Sequence, residues 1–195
     1  MPDRFNTKTV SGHDLNEVAS AFQKAIRRGF EDEALHWGVE LDLGGFSEYA
    51  WKRMRIVASE DVGLAEPMLP AQIYALYENW LDQRRKHDKK HAPERLFFVH
   101  AILLLVRSKK SRIVDHALIT YYGNHEKREI PDYARDKHTW SGRRMGRGVK
   151  HFFEEGIILG NRTNLPDEYE ERARETMLRA EKEKRGTLPI FGDEG

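Results

Sequence analysis

The most informative stretch of the sequence spans residues 137–153 and carries five Lys or Arg and two His without a single acid. A guanidinium group binds phosphate through two parallel hydrogen bonds, and clustered cations add positive potential. Together with a second basic block at residues 107–112, the stretch predicts contacts with phosphate groups such as those of a nucleic acid. The candidate phosphate-binding residues are Lys137, His138, Arg143, Arg144, Arg147, Lys150, Lys109, Lys110 and Arg112.

The spacing of apolar residues in this stretch predicts one continuous helix over residues 139–155. At 100° per residue, Arg143, Arg147 and Lys150 lie within ~60° of one another on its surface. The opposite, core-facing side is predicted to hold Met145, Val149, Phe152 and Phe153. Glycines beside the cations allow a backbone or a phosphate to approach closely. The alternative is a solvated helix face whose glycines serve close helix packing and whose arginines pair with acids elsewhere.

A second group of chemically active side chains consists of Ser59, Glu60 and Asp61, preceded by Arg55. It falls at the C-terminal end of a predicted helix that begins at Ser47, where carboxylates oppose the helix dipole. An arginine from another helix or from a partner chain is therefore expected to offset them. Paired carboxylates can also bind metals or exchange protons in enzymes. We favour an ion pair, so these residues are candidates for a structural or partner-binding motif.

One set of histidines and aspartates has the order used by HD-type all-α metal phosphohydrolases. His36, the pair His87 and Asp88, and Asp115 supply a histidine, a His-Asp pair and a later aspartate, and imidazole and carboxylate suit divalent metals. The central pair lies within residues 84–90, however, where five Lys or Arg repel a cation. A metal-dependent phosphohydrolase is therefore kept as a second alternative.

Motifs of the common enzyme classes are missing from the sequence. It contains no P-loop, no H-E-x-x-H zinc motif, no G-x-S-x-G nucleophile elbow and no dinucleotide-binding fingerprint. The absence of cysteine excludes disulfides, zinc ribbons and thiol nucleophiles. We therefore expect no enzymatic activity, no cofactor and no metal.

Apolar residues recur at helical spacing in almost every segment, and none alternates as a strand would. The first helix is predicted to begin at Ser11 or Asp14 and to end at Gly29. Residues 96–106 are apolar on all sides and predict a buried central helix. A later helix, capped by Ser111, is predicted to place core residues at Ile113, Val114, Ala117, Leu118 and Tyr121 or Tyr122. The sequence predicts an all-α bundle of roughly eight helices.

The formal net charge of +1 hides an uneven distribution along the 195 residues. Residues 167–195 hold nine acids and six bases, so residues 1–166 carry an excess of four positive charges. That excess gathers in three blocks, at residues 84–90, 107–112 and 137–151. A net charge near zero therefore does not exclude a nucleic-acid partner, and the acidic tail could compete for the same surface.

Membrane insertion is not indicated by the sequence. The longest apolar run, residues 96–106, is far shorter than the ~20 residues of a membrane span, and the first ten residues show no signal-peptide pattern. We expect a cytoplasmic protein without a membrane partner, associated with the nucleoid if it binds DNA.

Three segments resemble the C-terminal region of the MgsA/RarA family of clamp-loader-like AAA+ ATPases, which act at stalled replication forks. They are residues 20–29, residues 32–37 and residues 53–65, the last containing the sequence Ala-Ser-Glu-Asp-Val-Gly-Leu-Ala. Shorter similarities occur at residues 108–111, 130–139 and 165–168. The resemblance implies a helical, collar-like fold and homo-oligomeric assembly. It supplies no ATP-binding residues, because the family's ATPase domain has no counterpart in this sequence.

Three hypotheses for function remain. The first is a non-enzymatic helical module that binds DNA without sequence specificity, or binds a replication or repair ATPase, through basic helix faces. The alternative is a homo-oligomeric structural or adaptor protein without nucleic-acid binding, and the second alternative is the metal phosphohydrolase. The predicted domain organisation is a flexible N-terminus at residues 1–12, a helical collar-like domain at 13–160 and a charged helical tail at 161–195.

Overall fold

In a computed structural model, the described part of the chain comprises residues 7–86 and 92–186. Every regular element in these residues is helical, which confirms the predicted all-α fold. No helix among them is long and apolar enough to cross a membrane. The α-helices are α1 (Leu15–Arg28), α2 (Glu31–Leu43), α3 (Ser47–Val57), α4 (Leu69–Arg85), α5 (Glu94–Arg107), α6 (Ile113–Gly123), α7 (Trp140–Arg144), α8 (Val149–His151) and α9 (Glu170–Gly186).

The chain divides into two compact units, Met1–His125 with α1 to α6 and Glu126–Gly195 with α7 to α9. Two helices continue into a π-helical turn: α3 into Ala58–Val62 and α8 into Phe152–Gly156. The boundaries that composition suggests, at residues 12 and 160, stay predictions.

The ends of α1 follow local chemistry that the sequence already shows. The carboxylate of Asp14 accepts hydrogen bonds from the backbone amides of Asn16 and Glu17, at 2.9 and 3.1 Å. Gly29 ends the helix in the left-handed conformation, with φ of +74°. Both ends are confirmed, since an aspartate satisfies free amides at a helix start and a glycine adopts the left-handed turn at a helix end.

Residues 7–12, the described part of the predicted flexible N-terminus, contact α2 within the first unit. The backbone amide and the hydroxyl of Ser11 both donate hydrogen bonds to the carboxylate of Glu40 in α2, each at 2.8 Å. Thr9 is buried. These contacts hold the segment against α2.

The core of the first unit is centred on Trp51 of α3, which is completely buried. Its ring packs against those of Tyr77, Trp80 and Phe98 with centroid distances of 5.4 to 5.8 Å, a spacing at which aromatic rings attract each other beyond their buried area. Helix α5, which contains residues 96–106, contacts α1, α2, α3 and α4. The central position of this helix is thereby confirmed, but it is not buried on all sides, since Leu96 is 71% exposed and His100 is exposed.

Helix α6 differs from its prediction, because none of its side chains is buried. It contacts chiefly the π-helical turn Ala58–Val62 and the 3-10 turn Gly63–Ala65 that follows it, and the rest of its surface is exposed. The prediction of core positions was therefore wrong for Ile113, Val114, Ala117, Leu118, Tyr121 and Tyr122.

The predicted continuous helix over residues 139–155 is also wrong. Helix α7 ends at Arg144, and α8 begins only at Val149. Between them Gly146 adopts a left-handed conformation with φ of +72°, and this conformation ends a right-handed helix.

The break separates the three cations that a continuous helix would place on one face. Arg143 lies in α7, Arg147 in the connecting turn and Lys150 in α8, so the three side chains no longer share one helical face. Met145 is exposed instead of facing a core, whereas Val149 is buried as predicted.

The substitution Gly146→Ala distinguishes a continuous helix from a left-handed turn at this position, because it changes the stability of the segment in opposite directions. In a continuous helix, alanine would stabilise the segment by about 1 kcal/mol relative to glycine. At a left-handed φ it instead destabilises the segment by about 1–2 kcal/mol. We expect faster amide hydrogen exchange at residues 140–151 in the variant. Gly123→Ala is the control, because Gly123 lies at the end of α6 with open space around its Cα; slower exchange in the Gly146 variant would support the continuous helix.

Candidate interaction surfaces

The carboxylates of Glu60 and Asp61 form an ion-pair cluster with two arginines of the same chain. Asp61 is completely buried, and its Oδ1 accepts hydrogen bonds from Nε of Arg27 at 2.8 Å and from Nη1 of Arg112 at 2.9 Å. Glu60 Oε1 accepts from the same two guanidinium groups, at 2.8 and 3.2 Å. Arg27 comes from α1 and Arg112 from the segment before α6, so arginines distant in sequence offset the two carboxylates.

The same cluster fixes the start of α6 to the first unit. The backbone amide of Ser111 donates to the carbonyl oxygen of Asp61 at 2.8 Å. Arg112 also pairs with Asp115 in the first turn of α6. The helix is therefore held at one end by charged groups, while its apolar side chains stay outside the core.

The other two members of the predicted motif lie on the surface. The guanidinium group of Arg55 lies over the ring of Tyr77, at 4.9 Å from its centroid. Ser59 is exposed. A partner-binding role for them stays a prediction.

In the basic block at residues 107–112, most cations have partners within the chain. Arg107 forms two hydrogen bonds of 2.7 Å with the carboxylate of Glu31. The ammonium group of Lys110 turns back onto the end of α5, and burial lowers its pKa. Its backbone acceptors, at 2.6 to 3.1 Å, are the carbonyl oxygens of Leu105, Val106 and Ser108. Of the three predicted residues of this block, Lys109 alone has an exposed side chain.

In the second unit, Arg147 stabilises the turn of residues 132–135. Its Nη2 donates to both carboxylate oxygens of Asp132 at 2.7 Å, and its Nη1 donates to the carbonyl oxygens of Asp132 and Arg135 at 2.9 and 2.7 Å. These hydrogen bonds lower the pKa of Asp132. The side chain thus has a structural role within its own chain.

Four further predicted phosphate-binding residues have partners inside the second unit. The pairs are His138 with Asp136 at 3.0 Å, Lys137 over the Phe152 ring at 5.2 Å, Arg144 over the Trp140 ring at 4.5 Å and Lys150 with Glu154 at 3.9 Å. The hydrogen bond from His138 lowers the pKa of Asp136. Surface contacts of this kind are weak, so they leave these side chains accessible to another ligand.

Arg143 differs from the other predicted cations, since it forms no hydrogen bond or ion pair with any residue that the structure describes. It is exposed at the edge of a cleft of about 760 Å³ in the second unit. The charged side chains that line this cleft are Lys137, Arg143, Arg147, Glu181 and Lys184. Two of them, Glu181 and Lys184, belong to α9 and were not among the predicted site residues.

Helix α6 forms an exposed apolar surface of the first unit. We name it the α6 face; its residues are Ile113, Val114, Leu118, Ile119, Tyr121 and Tyr122, of which Tyr122 is 85% exposed. The segment Ile113–Gly123 contains no Lys or Arg, a composition that predicts a core helix. Contiguous exposed apolar surface marks protein-interaction sites.

The described residues that the phosphohydrolase alternative would need as metal ligands contact other side chains instead. The ring of His36 packs edge-on against that of Trp37 at 4.6 Å, and Asp115 is paired with Arg112. His87 and Asp88 lie outside the described residues. Across residues 7–86 and 92–186, no group of three potential metal-binding side chains occurs.

Comparison with known proteins identifies the family of the chain. The family described as "MgsA AAA+ ATPase C terminal" matches residues 30–185. Replication-associated recombination protein A of Bacillus subtilis is 28% identical over 160 residues, which are 77% of this chain and 36% of that protein. The chain thus spans about a third of the length of this relative. Because the family match covers most of the sequence, the chain belongs to the family of MgsA AAA+ ATPase C-terminal regions.

Proposed function

We propose that the chain is a self-assembling, non-catalytic helical module that works in DNA replication or repair, and that copies associate through the α6 face. The observation that carries this proposal is the exposure of every large side chain of α6. Burying such side chains between copies releases about 1.5–3 kcal/mol for each. The family membership and the name of the Bacillus relative support the replication setting.

The size and charge of the α6 face suit association with a second copy. Its six residues are 37% to 85% exposed, and an apolar surface of this kind contributes to the ~800 Å² that one partner supplies in a standard interface. The helix carries one acid, Asp115, which already pairs with Arg112. Two copies of α6 can therefore pack together without repulsion between like charges. A helix of a partner ATPase could bind the same surface for the same reason.

Solution mass is the direct test of self-assembly. We expect light scattering at micromolar concentration to give a multiple of the 22.8 kDa chain mass. A mass of one chain at that concentration would contradict the proposal.

Nucleic-acid binding by the cleft of the second unit is the second candidate. It is favoured by Arg143, whose guanidinium group has no partner among the described residues and lies at a cleft that Lys137 also lines. Several such cations contact phosphates without reading base sequence, and their binding weakens with salt.

The substitution Arg143→Glu tests this candidate. We expect it to weaken binding of a fluorescent DNA duplex about tenfold at low salt, because one phosphate contact is replaced by a repulsion. Arg128→Glu is the matched control, since Arg128 is exposed in the same unit and does not line the cleft. Fluorescence anisotropy measures both; equal loss in the two variants would mean that net charge alone attracts DNA.

A further inference from the structure

The cleft of the second unit already contains a carboxylate from the same chain. Glu181 of α9 reaches the turn before α8, where its Oε1 accepts a hydrogen bond from the backbone amide of Val149 at 3.1 Å. A Cβ at the neighbouring Gly148 would lie 2.5 Å from the same oxygen. The turn therefore has a backbone donor and a side-chain-free position where an acidic group approaches it closely.

The surroundings of this carboxylate are those of a phosphate site. Lys137, Arg143, Arg147 and Lys184 line the same cleft. Arg147 is already bound to Asp132, whereas Arg143 forms no hydrogen bond or ion pair within the described residues. A phosphate oxygen makes the same kind of hydrogen bond with a backbone amide as a carboxylate oxygen does, and nearby cations strengthen it. Glu181 thus holds the position that a phosphate of a bound nucleic acid would take.

Helix α9 has the features of an element that can leave its place. None of its described side chains is buried, and only Arg174, Met177, Leu178 and Glu181 are partly covered. Its ion pairs with the rest of the second unit include that between Arg174 and Glu154, which is 3.9 Å long, and that between Arg162 and Glu170. Elements with few buried apolar contacts open at low free-energy cost.

We propose that α9 is an internal competitor of nucleic acid: Glu181 occupies the phosphate position of the cleft, and DNA binds there only when it displaces this carboxylate. The inference rests on the nucleic-acid candidate stated above. Displacement lowers the apparent affinity by the fraction of molecules in which the cleft is open. The acidic C-terminal segment therefore limits non-specific DNA binding at low DNA concentration.

The test compares Glu181→Gln with Glu175→Gln in the full chain. Both variants remove one negative charge from α9, but Glu175 is exposed and does not line the cleft. We expect Glu181→Gln to bind a DNA duplex about fivefold to tenfold more tightly than the wild type in low salt, whereas Glu175→Gln changes the affinity less than twofold. In the wild type, we expect the Val149 amide resonance to shift on DNA addition, because its acceptor changes from Glu181 to a phosphate.

Three outcomes would contradict the inference in distinguishable ways. Equal affinities of the two glutamine variants, with Arg143→Glu still weakening binding, overturn the competition and leave nucleic-acid binding by the cleft intact. DNA binding without a shift of the Val149 amide places the DNA elsewhere and overturns both. Absence of binding by the wild type and by Glu181→Gln also overturns both, while binding by Glu181→Gln alone supports both.

Discussion

Replacing Leu118 and Tyr122 of α6 by glutamate is expected to convert the protein from an oligomer into single chains of 22.8 kDa. The two side chains are 55% and 85% exposed in the chain, so their substitution leaves the core of the first unit intact. In the assembled protein each contributes about 1.5–3 kcal/mol of apolar burial. Four carboxylates brought together across a symmetric pair of helices add repulsion to that loss. The association constant should therefore fall by at least about a hundredfold, which light scattering at micromolar concentration detects.

The matched control is Tyr74→Glu in α4. Tyr74 is 55% exposed, the same fraction as Leu118, but it lies on another helix. We expect this variant to keep the wild-type mass, and both variants to keep the wild-type helical circular dichroism. An unchanged mass of the α6 variant would show that another surface carries the assembly. Loss of assembly in both variants would instead show that any added charge dissociates the protein.

The sequence predicted that α6 is a helix but not where its apolar side chains lie. Helical period and the position of Ser111 identify the element, because both are local properties. Whether an apolar stripe is covered depends on what packs against it, and neither property contains that information. In α1 and α5 the stripe is covered by the bundle, and in α6 it is exposed.

The failure over residues 139–155 has a different cause. A glycine lowers helix propensity by about 1 kcal/mol and is also the preferred residue of a left-handed helix end. A glycine in the sequence therefore indicates either a helix of lower stability or the end of a helix. Gly146 ends α7, and the following Gly148 lies where Glu181 approaches. Spacing alone does not separate these roles.

For the ion-pair cluster, the sequence predicted that arginines offset the two carboxylates, but it did not predict which arginines do so. Two carboxylates at a helix end require nearby cations, and Glu60 and Asp61 have them. Arg112 belonged to the predicted basic residues, assigned there to phosphate. Arg27 lies 34 positions before Asp61, and no local pattern links the two, so their proximity follows from the packing of α1 alone.

Removing the buried carboxylate is expected to have the largest effect on stability. Asp61→Ala removes the buried one of the two carboxylates that Arg27 and Arg112 share, and it leaves Glu60 as their remaining common acceptor. Because the two guanidinium groups are 31% and 34% exposed and keep Glu60, we expect the free energy of unfolding to fall by about 1.5–3 kcal/mol, the contribution of a hydrogen bond to a charged group. Urea denaturation followed by circular dichroism should show this loss. Asp82→Ala is the control, because Asp82 forms a pair with Lys86 that is exposed on both sides and should change the stability little.

A double-variant cycle separates the ion pair from the loss of packing. In Asp61→Ala with Arg112→Met, both partners of one hydrogen bond are gone, so the combined loss should be clearly smaller than the sum of the two single losses. Additive losses would show that Asp61 stabilises the unit through packing alone. Since Arg112 and Ser111 connect this cluster to the first turn of α6, Asp61→Ala should also weaken self-association. The same carboxylate would then hold the first unit together and orient the α6 face toward a second copy.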